Sequence, residues 1–157
     1  MNISVLGCGR WGSFIAWYLN KIGHNVTLWG RESSDKLQEL LFLRKNSFLE
    51  INKNILVTSN LRLALDSSSV IVISISAQSL RTFLESIKLQ FQEEIKNKPF
   101  ILCMKGIEEN TGKRLSQVVQ ECLGENTNVA VWIGPGHVQD FINGIPNCMV
   151  IDSENEN

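Results

Sequence analysis

The sequence lacks a strong net charge and a long apolar run, and each absence excludes a class of protein. A formal net charge of -1 over 157 residues argues against strong electrostatic attraction to nucleic acid or to an anionic membrane. No apolar run is long enough to cross a bilayer, and the N-terminal run is too short for a signal peptide and lacks a basic start. We therefore expect a cytoplasmic protein with no nucleic-acid partner and no membrane insertion.

Cysteine is scarce and scattered, which bears on metal sites and disulfides. The four cysteines contain no C-x-x-C pair, so their spacing favours reduced, partly buried thiols over a disulfide framework or a zinc site. They are Cys8, Cys103, Cys122 and Cys148. A hydrophobic fraction of 43% and a charged fraction of 20% indicate one folded globular domain and no metal centre.

A glycine-rich stretch near the N-terminus is the strongest functional signal. Gly7, Gly9 and Gly12 have the spacing G-x-G-x-x-G between an apolar run at 3–6 and an apolar stretch at 13–19. This order predicts a strand, a tight turn and a helix, the pattern that binds a dinucleotide pyrophosphate. The first glycine permits the turn, the second a close phosphate approach, and the third packing of helix against strand. The helix N-terminus supplies N–H donors for the anion.

The end of the next strand predicts which dinucleotide is tolerated. Residues 25–29 are β-rich, and the fingerprint expects an acidic ribose ligand close behind them. The sequence has Gly30-Arg31 there instead. Gly30 is expected to leave room for the ribose, and Arg31 is a suitable counter-ion for a ribose 2′-phosphate. The cofactor is therefore expected to be NADP or NAD, with a solvated surface charge as the alternative interpretation of Arg31.

The remainder of the chain alternates between β-rich runs and amphipathic segments. Predicted strands cover 55–57, 70–75, 99–104, 128–133 and 148–151. Predicted helices cover 35–44, 61–65 (capped by Thr58 or Ser59), a segment beginning near Leu80, and one capped by Thr111. This alternation predicts an α/β fold, a Rossmann-like doubly wound, mostly parallel sheet over 1–151, followed by a polar tail at 152–157.

Candidate ligand contacts follow several predicted strands, at the carboxyl edge where such sheets bind ligands. Ser76-Ala77-Gln78 follows the long β-branched run, Lys105-Gly106 follows the next strand, and Gly134-Pro135-Gly136 the one after. Together with the glycine turn, these segments predict a single site at one edge of the sheet.

With these motifs the sequence resembles the N-terminal domain of bacterial NAD(P)-dependent glycerol-3-phosphate dehydrogenase from Ile3 to Ile151. Trp11 inside the glycine turn and the run Lys105-Gly106-Ile107-Glu108 are the most specific features. The resemblance implies reduction of dihydroxyacetone phosphate to sn-glycerol 3-phosphate with NADH or NADPH, for phospholipid synthesis. It is compatible with a homodimer in a full-length enzyme.

The resemblance also implies residue roles. Beyond the turn glycines, the cofactor contacts would be Arg10, Trp11, Arg31, Lys105 and Val138. Lys105 would also be catalytic and, with Gly134 and Gly136, would line the substrate. A cation directly after a buried strand suits a phosphate-bearing substrate and its carbonyl.

Three departures from the family pattern bear on these implied residue roles. Ser76-Ala77 stands where the family usually has Pro-Ser, and Gly136-His137 where it usually has Ser-Phe. Gly136 lacks the hydroxyl that would bond the substrate, and the sequence leaves His137 as either a substitute contact or a solvated side chain. The family's second, helical domain, which carries the general-acid lysine, is absent from this chain, so we expect the chain alone to be inactive.

Two other functions fit the same fold. One is another two-domain NAD(P)-dependent reductase of the ketopantoate or hydroxy-acid type. The run Lys105-Gly106-Ile107-Glu108 argues against this alternative. The other is a free-standing, non-catalytic NAD(P)-binding module.

Overall fold

The computed structural model describes residues 1–154 and contains one seven-stranded sheet. The strands are β1 (Asn2–Leu6), β2 (Asn25–Trp29), β3 (Leu56–Thr58), β4 (Val70–Ile73), β5 (Phe100–Leu102), β6 (Val129–Ile133) and β7 (Val150–Ser153). Their spatial order is β3-β2-β1-β4-β5-β6-β7, and all neighbours are parallel except the antiparallel pair β6 and β7. The predicted doubly wound, mostly parallel sheet is confirmed.

Six helices cover the two faces of this sheet. They are α1 (Arg10–Lys21), α2 (Asp35–Leu43), α3 (Leu61–Asp66), α4 (Leu80–Ile95), α5 (Leu115–Leu123) and α6 (Val138–Ile142), with a 3-10 turn at Ala77–Ser79 before α4. One core cluster joins the sheet to α1, α2 and α6, and the other joins it to α3, α4 and α5. The two-sided cover explains why strands such as β4 are apolar at every position.

The register brings the carboxyl ends of the central strands to one level. Leu6 at the end of β1 lies beside Trp29 of β2 and Ile73 of β4. The loops after these strands therefore emerge together at one edge. Because the chain leaves β1 toward one side of the sheet and β4 toward the other, a crevice opens between them.

Several local predictions differ from the structure. Thr111 does not cap α5; the N-cap residue is Arg114, and its amide donates to the Gln117 side chain at 3.0 Å. Asn60, and neither Thr58 nor Ser59, caps α3 by accepting from the Leu63 amide. Capping geometry depends on where the helix axis points, which packing decides, so adjacent polar residues are easily confused.

The region beyond β6 shows the largest differences from expectation. Helix α6 was not predicted, because five residues are too few to show a helical period. The last strand is Val150–Ser153, shifted from the predicted 148–151, so Asp152 and Ser153 pair with β6. The other part of the predicted polar tail, 155–157, lies outside the described residues.

Candidate functional site

A cleft of about 1180 Å³ opens at the carboxyl edge of the sheet, at the crevice between β1 and β4. Four segments from different parts of the chain line it. They are the glycine turn at 7–11, the loop at 29–36, the segment at 74–79 with the start of α4, and the end of β5 through Lys105. The cleft therefore brings together most of the predicted cofactor contacts.

The glycine turn is held by backbone packing that leaves no room for a side chain at two positions. Gly7 has φ +120°, and a Cβ there would lie 2.1 Å from the Ser74 carbonyl oxygen. A Cβ on Gly12 would lie 1.8 Å from the Gly7 carbonyl oxygen. Hydrogen bonds also join the start of the turn to both neighbouring strands. The Gly7 amide donates to the Trp29 carbonyl at the end of β2, and the Ser74 amide after β4 donates to the Leu6 carbonyl. Both glycines are therefore required by the fold itself.

Gly9 differs from these two because the space beside it is open. No described atom lies within 4 Å of the position that a Gly9 Cβ would take. Gly9 is the N-cap of α1, and within residues 1–154 no side chain caps this helix. The first-turn N–H groups of α1 thus remain available at the cleft, which is the donor set that a pyrophosphate requires. The Ser13 hydroxyl supports the turn by donating to the Cys8 carbonyl at 3.1 Å.

The loop after β2 places polar and cationic side chains along one wall of the cleft. Arg31 is exposed and lines it, together with Ser33, Ser34 and Lys36. Of these residues only Arg31 was predicted from the sequence, although two serines before α2 and a lysine in its first turn are a recognisable polar signal. Asp35 places one carboxylate on the same wall, but two cations and two hydroxyls remain there as donors for a phosphate monoester.

The predicted role of Gly30 as a source of room for the ribose needs correction. A Cβ on Gly30 would lie 2.3 Å from Cys8 Sγ and 3.2 Å from Leu37 Cβ. The space beside Gly30 is therefore filled by the Cys8 side chain and by α2. Burial raises the pKa of the Cys8 thiol, so the thiol is neutral and acts as an apolar packing group at neutral pH.

Arg10 and Trp11 both line the cleft from the start of α1. The Arg10 guanidinium lies over the Phe48 ring at 5.4 Å from its centroid. Trp11 is half-buried and packs 5.4 Å from Phe14 and 6.3 Å from Phe141, measured between ring centroids. These aromatic contacts set the orientation of both side chains at the cleft mouth.

Lys105 is the first exposed residue after β5, following the buried Cys103 and Met104, and it lines two clefts. The second cleft has a volume of about 750 Å³ and includes Gly134 and Pro135. The preceding side chains are apolar, and burial raises the pKa of the Cys103 thiol to about 12. Lys105 therefore places a cation at the junction between the cofactor cleft and the predicted substrate-lining glycine.

The structure does not bring three other candidates to these clefts. Val138 is 4% exposed and packs in the core with α1, and it lines neither cleft. Gly136 also lines neither, and a Cβ there would lie 2.3 Å from the Phe141 ring. His137 is an exposed N-cap residue of α6 and makes no side-chain cap bond within residues 1–154.

A charged network lies beside Lys105, in the loop between β5 and α5. Arg81 forms a two-pronged ion pair with Glu108, with distances of 2.7 Å from Nε to Oε1 and 2.8 Å from Nη2 to Oε2. The Thr111 hydroxyl donates to the same carboxylate. Hydrogen bonds from Arg81 and Thr111 hold the pKa of Glu108 at about 2, so it is ionised at neutral pH. The network was not predicted from the sequence because Arg81 lies 27 residues from Glu108 and 40 from Glu121.

The described part of the chain holds no group of three or more His, Cys, Asp or Glu side chains that could bind a metal ion. Among residues 1–154, no helix is both long and apolar enough to span a bilayer.

Comparison with known proteins shows the family to which the chain belongs. The model of the NAD-dependent glycerol-3-phosphate dehydrogenase N-terminus matches residues 2–157. Curated relatives include glycerol-3-phosphate dehydrogenase [NAD(P)+] of Thermoanaerobacter sp. (strain X514), 36% identical over 99% of this chain and 46% of the relative. The Fusobacterium nucleatum protein of the same name is 33% identical, over 99% of this chain and 47% of its own length. The chain thus spans about half the length of the curated relatives it matches.

Solved structures show the same fold. The crystal structure of glycerol-3-phosphate dehydrogenase from Coxiella burnetii superposes with a TM-score of 0.84 at 23% identity. The match covers 98% of this chain and 47% of that one.

Proposed function

The chain belongs to the family of the NAD-dependent glycerol-3-phosphate dehydrogenase N-terminus, and on that premise we propose that it is the cofactor-binding part of such an enzyme. It binds NAD or NADP in the cleft of about 1180 Å³. The enzyme reduces dihydroxyacetone phosphate to sn-glycerol 3-phosphate for phospholipid synthesis. Four free cysteines, three of them buried, support the proposed cytoplasmic location.

The observation that carries the proposal is the uncapped N-terminus of α1 beside the open face of Gly9. A side chain at Gly9 would fill the approach to the first-turn N–H groups, whereas the bare backbone admits a pyrophosphate. Arg31 on the neighbouring wall binds the ribose 2′-phosphate of NADP. Arg10 and Trp11 line the same cleft and complete the cofactor contacts.

Lys105 is proposed as the residue at the reacting end of the substrate. A bound reduced nicotinamide supplies the hydride for the carbonyl carbon. The Lys105 ammonium group, at the junction of the two clefts, stabilises the negative charge that develops on the carbonyl oxygen. Gly134 lines the second cleft beside it through its backbone, since a Cβ there would lie 2.6 Å from the Cys148 carbonyl oxygen. Gly136 and Val138 remain predictions from resemblance alone.

Calorimetric titration of the 157-residue chain with NADPH and NADH tests the proposal. We expect measurable binding of both, weaker than in a longer family member where a second domain closes the site. We expect no detectable reduction of dihydroxyacetone phosphate at saturating NADPH, because ketone reduction also needs a positioned proton donor. Absence of binding by either cofactor would contradict the proposal, and robust turnover would contradict the assignment of only part of the site to this chain.

A further inference from the structure

The loop at 105–114 is tied to the cofactor cleft by one amide side chain. Gln78 Nε2 donates to the Ile107 carbonyl at 2.9 Å, and the Glu109 amide donates to Gln78 Oε1 at 3.0 Å. Both the donor and the acceptor of the Gln78 side chain are therefore hydrogen-bonded to the same loop. Gln78 itself belongs to the segment at 74–79 that lines the cleft.

Arg81, on the first turn of α4, provides a second connection to this loop. Its guanidinium holds the Glu108 carboxylate and also donates to Glu121 Oε2 of α5 at 2.8 Å. Lys113 forms an ion pair with Glu121 as well. The loop is thus joined by charged side chains to both helices that flank it.

Within itself the loop is a closed turn. The Glu108 amide donates to the Lys113 carbonyl at 2.9 Å, and the Gly112 amide donates to the Glu108 carbonyl at 2.8 Å. Such internal bonds shape the loop without placing it relative to the sheet. Its placement at the cleft therefore depends on the side chains that reach it from Gln78 and Arg81.

We propose that Gln78 is a positioning residue for Lys105, with Arg81 as a second anchor of the same loop; this rests on the proposed function. Lys105 is exposed and lies between the buried Met104 and the anchored residues Ile107 and Glu108. Gln78 contacts the loop two residues beyond the lysine, so it sets the direction in which the chain leaves β5. The Gln78 side chain thereby links the cleft-lining segment at 74–79 to the loop that carries Lys105.

Gln78 is well suited to a test because it is exposed and lies outside the core. Its replacement removes two hydrogen bonds without leaving a cavity, so the global stability should stay close to that of the wild type. Gln90 offers a matched control, because it is another exposed glutamine of the same region, and its side chain bonds only to Ser86 in the described structure.

Hydrogen exchange of the cofactor-free chain tests the anchor directly. In Gln78→Ala, exchange over 105–114 should accelerate about two- to tenfold, as expected for loss of ordinary hydrogen bonds. Gln78→Glu keeps the acceptor for the Glu109 amide and should give an intermediate rate. Gln90→Ala should exchange like the wild type there. Unchanged exchange in Gln78→Ala would overturn the proposal.

A double-mutant cycle on NADPH affinity then tests whether Gln78 acts through Lys105. Gln78→Ala and Lys105→Ala should each weaken binding roughly three- to tenfold, and the double variant should bind no more weakly than Lys105→Ala alone. Fully additive losses would overturn the positioning role, since a merely structural effect is independent of the lysine. If the wild type fails to bind NADPH, the proposed function fails, and the exchange experiment alone decides whether Gln78 positions the loop.

Discussion

The glycine turn at 7–12 and the loop at 105–114, which reaches the same cleft through Lys105, are held in place by different forces. The turn is fixed by backbone atoms so close that a Cβ on Gly7 or Gly12 would meet carbonyl oxygens at 2.1 and 1.8 Å. The loop is fixed by polar side chains, chiefly those of Gln78, Arg81 and Glu108. The two regions therefore differ in what disrupts them.

Steric packing fails abruptly, whereas polar anchoring weakens by degrees. A carbonyl oxygen in a packed turn cannot move to admit a methyl group without moving a strand. A hydrogen bond from an exposed amide or a partly exposed ion pair contributes modestly to stability, and the ion pair also responds to pH and salt. Substitutions in the turn should therefore change stability or binding by large amounts that do not depend on pH or salt. Substitutions in the loop should cause smaller changes that do depend on them.

The largest effect is expected from a pair of identical changes within the turn. Gly12→Ala should lower the free energy of unfolding by about 3 kcal/mol or more, because the clash with the Gly7 carbonyl outweighs the roughly 1 kcal/mol that alanine gains in a helix. Gly9→Ala should change it by less than about 1 kcal/mol, since the space there is open. Urea unfolding measures both, and equal losses would refute the steric description of the turn.

A second change separates binding from folding in the same turn. Gly9→Val should abolish NADPH binding while leaving the thermal unfolding curve near that of the wild type, because the side chain fills only the phosphate approach. Calorimetry measures the binding and circular dichroism the fold. Unchanged affinity in this variant would remove the glycine turn from the cofactor site.

Arg31 extends the comparison to an exposed charge in the loop after β2, which also lines the cleft. Arg31→Ala should weaken NADPH binding by roughly 1–2 kcal/mol and NADH binding by less, since only NADPH carries the 2′-phosphate. The difference should shrink at high salt. Equal losses for the two cofactors, measured side by side at low salt, would assign Arg31 to the surface and not to the site.

The smallest effect is expected in the loop and depends on pH. The pKa of Glu108 lies near 2, below its ordinary 4.5, so its ion pair stabilises the fold above about pH 4.5 and this contribution disappears as the pH falls toward 2. Glu108→Gln should therefore be less stable than the wild type at pH 7, with a difference that narrows at pH 3. The exposed neighbour in Glu109→Gln serves as the control. A difference that stays constant from pH 7 to pH 3 would exclude the ion pair as its source.

The central sheet and the glycine turn were predictable because their signals are local. The apolar run before Gly7 and the β-branched run at 70–73 identify buried parallel strands, and the glycine spacing identifies the turn between β1 and α1. Its position after a predicted strand identified Lys105 as a candidate ligand contact, family resemblance added its proposed roles, and the structure places that lysine at the cleft. Helix α6 and the bounds of β7 were not predicted correctly, because short elements show too little hydrophobic periodicity.

By itself the sequence determined the α/β class, the strand-turn-helix at the N-terminus and the candidate nucleotide site, since alternation and glycine spacing are properties of adjacent residues. Only the tertiary structure decided that Cys8 fills the space beside Gly30, that Phe141 covers Gly136, and that Gln78 and Arg81 hold the loop after Lys105. Each of these contacts joins residues brought together when separate chain segments pack on one sheet. Such contacts depend on strand order and helix packing, which no single stretch of the chain encodes.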